Sequence, residues 1–291
     1  MARGANKSFI GGLKTLSAIA VDTDEEGEQT PPTVAAGSPE EAALLAQLEA
    51  QLAAVASDGA AVQSAPVAIS HDVKLMSLRG RKYDVERAAA IAPQLQALVD
   101  GLESALKSGD AEVVQRNREQ LVADLRAQKI INTGAKDAHG RAVIWLRLRF
   151  HDPKTCGADD LARLNAYVLL HMLRDAGVQR RGIVVIHDCT DVGWTNLEFG
   201  AFKAIVTTVL PRLPIRIAGV GVLRAPFFLS NVVLPLILRL VTVKLRKRIV
   251  VAKEVDQLDA ILTPLARPAE LGGSFTFDGD AWAQMMIDAM P

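Results

Sequence analysis

The sequence predicts an α/β protein in which a mostly parallel sheet, flanked by helices, follows a helical N-terminal module. From residue 141 onward, short apolar strands alternate with amphipathic helices, the order expected when helices cross between parallel strands. Before residue 130, apolar residues recur at helical spacing instead. Hydrophobic residues make up 49% of the 291 residues, which suffices for a sizeable core.

Residues 1–37 are predicted to form a disordered arm and linker. Residues 22–37 are acidic and then contain proline and glycine, with almost nothing to bury. Residues 1–20 contain basic and no acidic residues, so a targeting peptide is the alternative for that part.

A helical module is predicted for residues 38–130. Ser38 followed by Pro39 and two glutamates is typical of a helix start. Pro93 predicts a kink or a break in a later helix. The predicted helices cover residues 39–58, residues 75–80, a longer run capped by Asp84, and residues 110–127.

The predicted α/β domain covers residues 131–280, and residues 281–291 are predicted to be a C-terminal tail. Residues 141–150 alternate strictly between the two sides of a strand. Thr195-x-x-Glu198 matches a capping box and predicts a helix start. Further strands are placed at residues 182–187, 215–223 and 249–252, and a helix at residues 159–175.

Residues 227–240 are apolar almost all round a helix. Such a helix must be covered on every side or face lipid, so we expect a lid over an apolar ligand. The wider apolar stretch, residues 229–243, contains Pro235 and Arg239 and is shorter than the roughly 20 residues that a membrane span needs. We therefore expect no transmembrane helix.

The charge is unevenly distributed, although the net charge is zero. Residues 199–253 contain ten basic residues and no acidic residue, which predicts a local positive field. Five of the ten lie between Arg239 and Arg248, and we favour anionic lipid or phosphate recognition over a solvated helix face or a localisation signal. Aromatic residues are only 4% of the chain and form no run, which argues against nucleic acid as a partner.

His187 and Asp188 end a predicted strand, at the sheet edge where ligands bind in α/β proteins. Two further His-Asp pairs, at residues 71–72 and 151–152, leave a metal-dependent phosphohydrolase as an alternative. The spacing of these pairs does not match that of metal ligands on helices. The simpler interpretation is that Asp188 bonds backbone groups where the strand turns into a loop.

The cysteines and glycines suggest no other catalytic chemistry. Cys156 and Cys189 lie far apart and form no CxxC pair, so a reducing compartment is expected. Gly219-x-Gly221 lies inside a predicted strand and lacks the third glycine of a dinucleotide motif. Glycines in a strand more often allow another segment to approach closely.

Six segments of the chain carry motifs that recur together. LMSLRGRKYDVERAAAI is similar to LLRFLRARKFDVEKA, LPIRIAGVGVLRAPFFL to YPxRLxxIxxxNxPxxF, and LARPAELGG to LPxEYGG. HGRAVIWLRLRF, GIVVIHDCTDVGWTN and VKLRKRIVV add further matches in the same order. Over residues 75–277 the chain thus resembles the CRAL-TRIO lipid-binding family, which includes yeast-type phosphatidylinositol transfer proteins and tocopherol- and retinaldehyde-binding proteins. Arg224 stands where that family usually has Asn.

The resemblance implies a CRAL-TRIO fold with an apolar pocket beneath a gate helix at residues 227–240, here called the gate segment. Lys244 and Arg248 match basic residues that contact phosphoinositide phosphates in tocopherol-transfer-like members. The residues expected to meet an anionic headgroup are Arg239, Lys244, Lys247 and Arg248. The residues expected to line the pocket or the gate are Ile183, Val185, Val220, Val222, Phe227, Phe228, Val232, Leu236 and Leu240.

The resemblance also implies a function without catalysis. The protein would bind a hydrophobic lipid, a phospholipid or an isoprenoid, and transfer or present it at an anionic, phosphoinositide-bearing membrane. We expect no cofactor apart from the bound lipid, no catalytic residue, and a cytoplasmic monomer that is peripheral to membranes. The alternative is a scaffold or regulatory protein whose pocket holds no exchangeable lipid.

Overall fold

The computed structural model describes residues 33–58 and 68–291 and confirms the predicted α/β class. Five strands form one sheet in the order β1-β2-β3-β4-β5. β1 and β2 are antiparallel, and the other three pairings are parallel. The strands are β1 (Ile130–Lys136), β2 (Ala142–Arg147), β3 (Ile183–Asp188), β4 (Ile217–Leu223) and β5 (Ile249–Ala252).

Four helices precede the sheet in the described residues, as the periodicity predicts. Asp84 caps the third by accepting a hydrogen bond from the backbone N–H of Arg87 (3.0 Å). Pro93 lies inside this helix, which continues without a break to Glu103. The helices are α1 (Pro39–Asp58), α2 (His71–Gly80), α3 (Val85–Glu103) and α4 (Ala111–Arg126).

Three crossovers connect the parallel strands. α5 (Ala158–Met172) and α6 (Ala176–Arg181) join β2 to β3, and α7 (Phe199–Ala204) leads from β3 towards β4. The gate segment and a short basic helix join β4 to β5. Crossovers between parallel strands are right-handed, and each of these three moves one strand further in the same direction. All three therefore lie on the same side of the sheet, which we call the crossover face.

The opposite side of the sheet, the back face, is covered by the chain that follows β5. A Cβ atom on Gly219 would meet Ile261 at 3.0 Å, and one on Gly221 would meet Leu258 at 3.1 Å. These two glycines thus allow close packing on the back face, as expected for glycines inside a strand. Because side chains alternate, Val220, between the two glycines, belongs to the crossover face.

Three local expectations differ from the structure. β1 was not predicted, because its Asn-Thr-Gly centre breaks the apolar alternation. β2 ends at Arg147, since residues 148–150 turn into a 3₁₀ helix. Thr195 and Glu198 do not form a capping box: the Asn196 side chain accepts from the Gly193 N–H, and Glu198 is instead the residue that precedes α7.

The described parts of the predicted arm and of the predicted tail pack against the rest of the structure. Residues 1–32 of the predicted arm lie outside the described residues, whereas Val34 is buried in a cluster with Leu48 and Leu78. The boundary predicted between residues 280 and 281 falls inside α10 (Gly279–Asp288). Met286 in this helix is buried and its carbonyl accepts a hydrogen bond from the Tyr167 hydroxyl (2.5 Å).

A buried carboxylate ties the N-terminal helices to the α/β domain. Glu41 accepts hydrogen bonds from Arg79 Nε (2.6 Å) and Nη2 (2.8 Å) and from the Tyr83 hydroxyl (2.9 Å). Arg79 Nη1 also donates to the side chain of Gln179 in α6 (3.0 Å). The bonds from Arg79, opposed by burial, lower the pKa of Glu41 from 4.5 to about 2.

Replacing Glu41 with Gln should destabilise the protein by about 3 kcal/mol at pH 7, because Arg79 then loses its buried counter-charge. Because the pKa of Glu41 is lower in the folded protein than in the unfolded chain, its ionised carboxylate stabilises the fold at pH values above about 4.5. This stability is lost as the pH falls from about 4.5 towards 2. Unfolding by urea at several pH values would measure both effects. The exposed Glu49→Gln variant, which breaks a surface pair with Lys74, is the control. Equal stability of the Glu41 and Glu49 variants would contradict the assignment.

Arg224, at the turn from β4 into the gate segment, has a left-handed backbone. Its φ is +54°, and its N–H donates to the Ala252 carbonyl (2.8 Å). Arg pays an energetic penalty in this conformation, whereas Asn adopts it readily, which fits the Asn expected here from the family pattern. Within the part of the chain that the structure describes, the side chain forms only a long pair with Glu254 (3.9 Å) at the surface, a kind of contact that contributes little.

Arg224→Asn should therefore raise the free energy of unfolding by about 1 kcal/mol, since it relieves the left-handed backbone. Chemical denaturation would measure the change. Lys203→Asn, in the helical backbone of α7, is the matched control and should be neutral or slightly destabilising. A loss of stability in the Arg224 variant would show that the side chain contributes more than the backbone costs.

Candidate functional site

The candidate site lies between the crossover face and the gate segment. The parallel registers place Leu146, His187 and Val222 in one row across β2, β3 and β4, and Val185 and Val220 in the next row. Leu146, Val185 and His187 are only half-buried, whereas the back-face residues between them are fully buried. The crossover face is thus an apolar floor, with one imidazole, that the crossovers cover incompletely.

The gate segment is a helix whose two halves differ. In the first half, which contains the π-helical turn Leu229–Val233, Leu229 is buried against the core. Phe228 stacks on Trp194, with ring centroids 4.3 Å apart. The second half, α8 (Leu234–Leu238), contains no buried residue. The gate segment is therefore anchored next to β4 and loosely packed further on.

Of the nine predicted pocket and gate residues, four lie in the sheet and five in the gate segment. In the sheet, Ile183, Val220 and Val222 are buried and Val185 is half-buried. In the gate segment, Phe228 is half-buried, and the exposed side chains are Phe227 (81%), Val232 (49%), Leu236 (44%) and Leu240 (37%). Contact of these nine residues with a lipid stays a prediction.

Sequence reasoning missed the residues that anchor the gate segment. Leu229 and Val233 pack against the core, four residues apart, and Trp194 supports the neighbouring Phe228. Because residues 227–240 are apolar almost all round a helix, periodicity could not distinguish the buried side chains from the exposed ones. The available signal for Trp194 was a large apolar side chain in a polar loop just after β3.

The basic residues after the gate segment differ in their surroundings. They begin with α9 (Val243–Arg246), which Thr242 caps and Leu245 anchors in the core. Arg248 is half-buried, and its Nη1 donates to the Ile217 carbonyl (2.8 Å), which links β5 to the start of β4. Among the predicted headgroup residues, Arg239 and Lys247 are exposed and Lys244 is half-buried. That these four residues contact an anionic headgroup stays a prediction.

His187 and Asp188 do not act together. As consecutive residues of β3 they lie on opposite faces of the sheet. Asp188 accepts hydrogen bonds from Arg149 Nη1 (2.6 Å) and from the Thr190 hydroxyl (2.6 Å). It also accepts one from the Thr190 backbone N–H (3.1 Å), which is the corner role of the simpler interpretation. Within residues 33–58 and 68–291, no group of three or more His, Cys, Asp or Glu residues could hold a metal ion. This geometry gives no support to a metal-dependent phosphohydrolase.

Two concavities lie elsewhere in the described structure. One, of about 490 Å³, lies at the β1 edge of the sheet between α5 and α10, with Met172, Trp282 and Met286 among its lining residues. The other, of about 550 Å³, is more polar and lies between Arg147 and the residues around Asp278. Neither is lined by a residue of the gate segment.

Among the described residues, no helix is long and apolar enough to cross a bilayer.

Comparison with known proteins agrees with this architecture. Tyrosine-protein phosphatase non-receptor type 9 of Mus musculus and of Homo sapiens is 24% identical over 214 residues, which is 74% of this chain. The chain spans only 35% of the length of these relatives. The crystal structure of Sfh5, at 12% identity, aligns with a TM-score of 0.50 over 88% of this chain and 98% of that chain, which shows the shared fold.

The family comparison covers the sheet itself. The model of the CRAL/TRIO domain matches residues 125–273, which include all strands from β1 to β5. This range is half of the chain and contains five of the six motif segments named above. The protein therefore belongs to the CRAL/TRIO family of lipid-binding domains.

Proposed function

We propose that the protein binds a hydrophobic lipid, a phospholipid or an isoprenoid, between the crossover face and the gate segment, and transfers or presents it at an anionic membrane. The observation that carries this proposal is the pairing of an incompletely covered apolar floor with α8, an apolar helix that has no buried residue. A lipid chain in this groove would cover both surfaces. Each buried CH₂ group is worth about 0.8 kcal/mol, so no covalent chemistry is needed for tight binding.

The surroundings of the gate segment support a membrane as the place of exchange. Phe227, Trp194 and Val243 are exposed. Exposed basic residues, Arg239 and Lys247, lie on the same stretch of chain as Phe227 and Val243. Exposed apolar side chains beside basic ones suit the interface of an anionic leaflet, where each Lys or Arg adds about 1 kcal/mol.

A scaffold without exchangeable lipid is the second candidate. The position of both described concavities away from the gate segment favours it. In that case the gate segment would lie permanently on the floor. The two candidates differ in whether the purified protein carries a lipid.

Native mass spectrometry of the full chain, purified without detergent, should show a complex with one lipid, because the apolar floor and gate are then covered. Extraction and identification of the lipid would name its class. After mixing with labelled vesicles, the bound lipid should exchange. A protein that carries no lipid and takes none from vesicles would support the scaffold and refute the proposal.

Replacing Arg239 and Lys247 together with Ala should weaken binding to vesicles that contain phosphatidylinositol phosphates by roughly thirtyfold, because two exposed charges near the gate, worth about 1 kcal/mol each, are lost. Vesicle flotation at low and high salt would measure this, and the difference should shrink at high salt. Lys107→Ala with Lys136→Ala removes two exposed charges elsewhere and is the matched control. Equal binding of wild type to neutral and anionic vesicles would contradict a role for these charges.

A further inference from the structure

One polar side chain interrupts the apolar floor. The regular registers of β2, β3 and β4 place eight residues on the crossover face, and His187 is the only polar one. The other seven are Ala142, Ile144, Leu146, Ile183, Val185, Val220 and Val222. His187 lies one residue before the carboxyl end of β3, between Leu146 and Val222.

The His187 imidazole is half-buried and makes no side-chain hydrogen bond to any described residue. Its nitrogens are not fully enclosed, so water can reach them when no ligand is bound, in contrast to Asp188, which is satisfied by Arg149 and Thr190. Burial lowers the pKa of His187 from 6.5 to about 4, so the ring is neutral near pH 7. A neutral imidazole has one N–H donor and one nitrogen acceptor.

A lipid on this floor would displace the water around His187. If the lipid offered only hydrocarbon at that point, the imidazole would lose its hydrogen bonds without replacement, which is unfavourable. A ligand with a hydroxyl or carbonyl oxygen at this depth would replace them. A phosphate does not match a neutral ring, and the basic residues beyond the gate segment suit that group better.

We propose that the bound ligand carries an uncharged oxygen, a hydroxyl or a carbonyl, that hydrogen-bonds to His187 on the floor of the groove. This inference rests on the proposed lipid-binding function. Two kinds of lipid supply such an oxygen: the ester carbonyl of a diacyl phospholipid and the hydroxyl of an isoprenoid alcohol. His187 would thus select oxygenated lipids over hydrocarbon chains of the same length.

The test uses matched pairs of ligands with the full chain. The first pair is a diacyl phosphatidylcholine and its dialkyl ether analogue, and the second is phytol and the hydrocarbon phytane. Wild type should bind the member that carries the carbonyl or hydroxyl oxygen at least tenfold more tightly in one pair, and the pair that shows the preference identifies the source of that oxygen. His187→Leu should abolish the preference, and His187→Gln, which keeps a donor and an acceptor, should retain part of it.

The outcomes separate this inference from the proposed function. Wild type that binds both members of both pairs equally overturns the role of His187 and leaves lipid binding intact. Wild type that binds none of the four ligands overturns both. An unchanged preference in His187→Leu also overturns the inference. The nitrogen chemical shifts of His187 in wild type, which should differ between the two bound ligands of the pair that shows the preference, test it without any substitution.

Discussion

The handedness of parallel crossovers determines where the site lies. Because β2, β3, β4 and β5 follow one another in one direction, their right-handed connections accumulate on one face of the sheet. The first two crossovers are supported by the N-terminal module, through contacts such as that of Arg79 with Gln179 in α6. The third contains the gate segment and joins β4 to β5 at the edge of the sheet. Its second half, α8, contains no buried residue, so this part of the crossover layer is loosely packed.

The N-terminal module acts as a fixed support for the crossover layer. The carboxylate of Glu41 organises α1, α2 and the Tyr83 turn around Arg79, and Gly80 then approaches Pro214 so closely that a Cβ atom would clash with it. Pro214 precedes β4, from which the gate segment departs. The chain that enters β4 is thus packed directly against the module. Its own anchors, Leu229 and the Phe228–Trp194 stack, hold the side nearest β4.

Much of the fold could be predicted from the sequence because the signals were local. The caps at Ser38 and Asp84 and the apolar run of β3 depend only on neighbouring residues. β1 could not be predicted, because its pairing with β2 overrides a weak pattern. At the site, periodicity identified the gate segment but not its anchors, since a π-helical turn and a stack on a distant Trp194 depend on tertiary contacts.

For the basic residues, too, the sequence gives their number but not their exposure. A count of ten basic residues in residues 199–253 suggests a broad positive surface, yet Arg212 and Arg216 are buried and Arg248 bonds a strand carbonyl. The exposed basic residues are therefore fewer than the count suggests, and they lie close to exposed apolar side chains. A surface of this composition favours the boundary between water and lipid over a purely polar partner. The position of His187 could not be predicted from charge or hydropathy, because only the strand register places its side chain on the floor rather than beside Asp188.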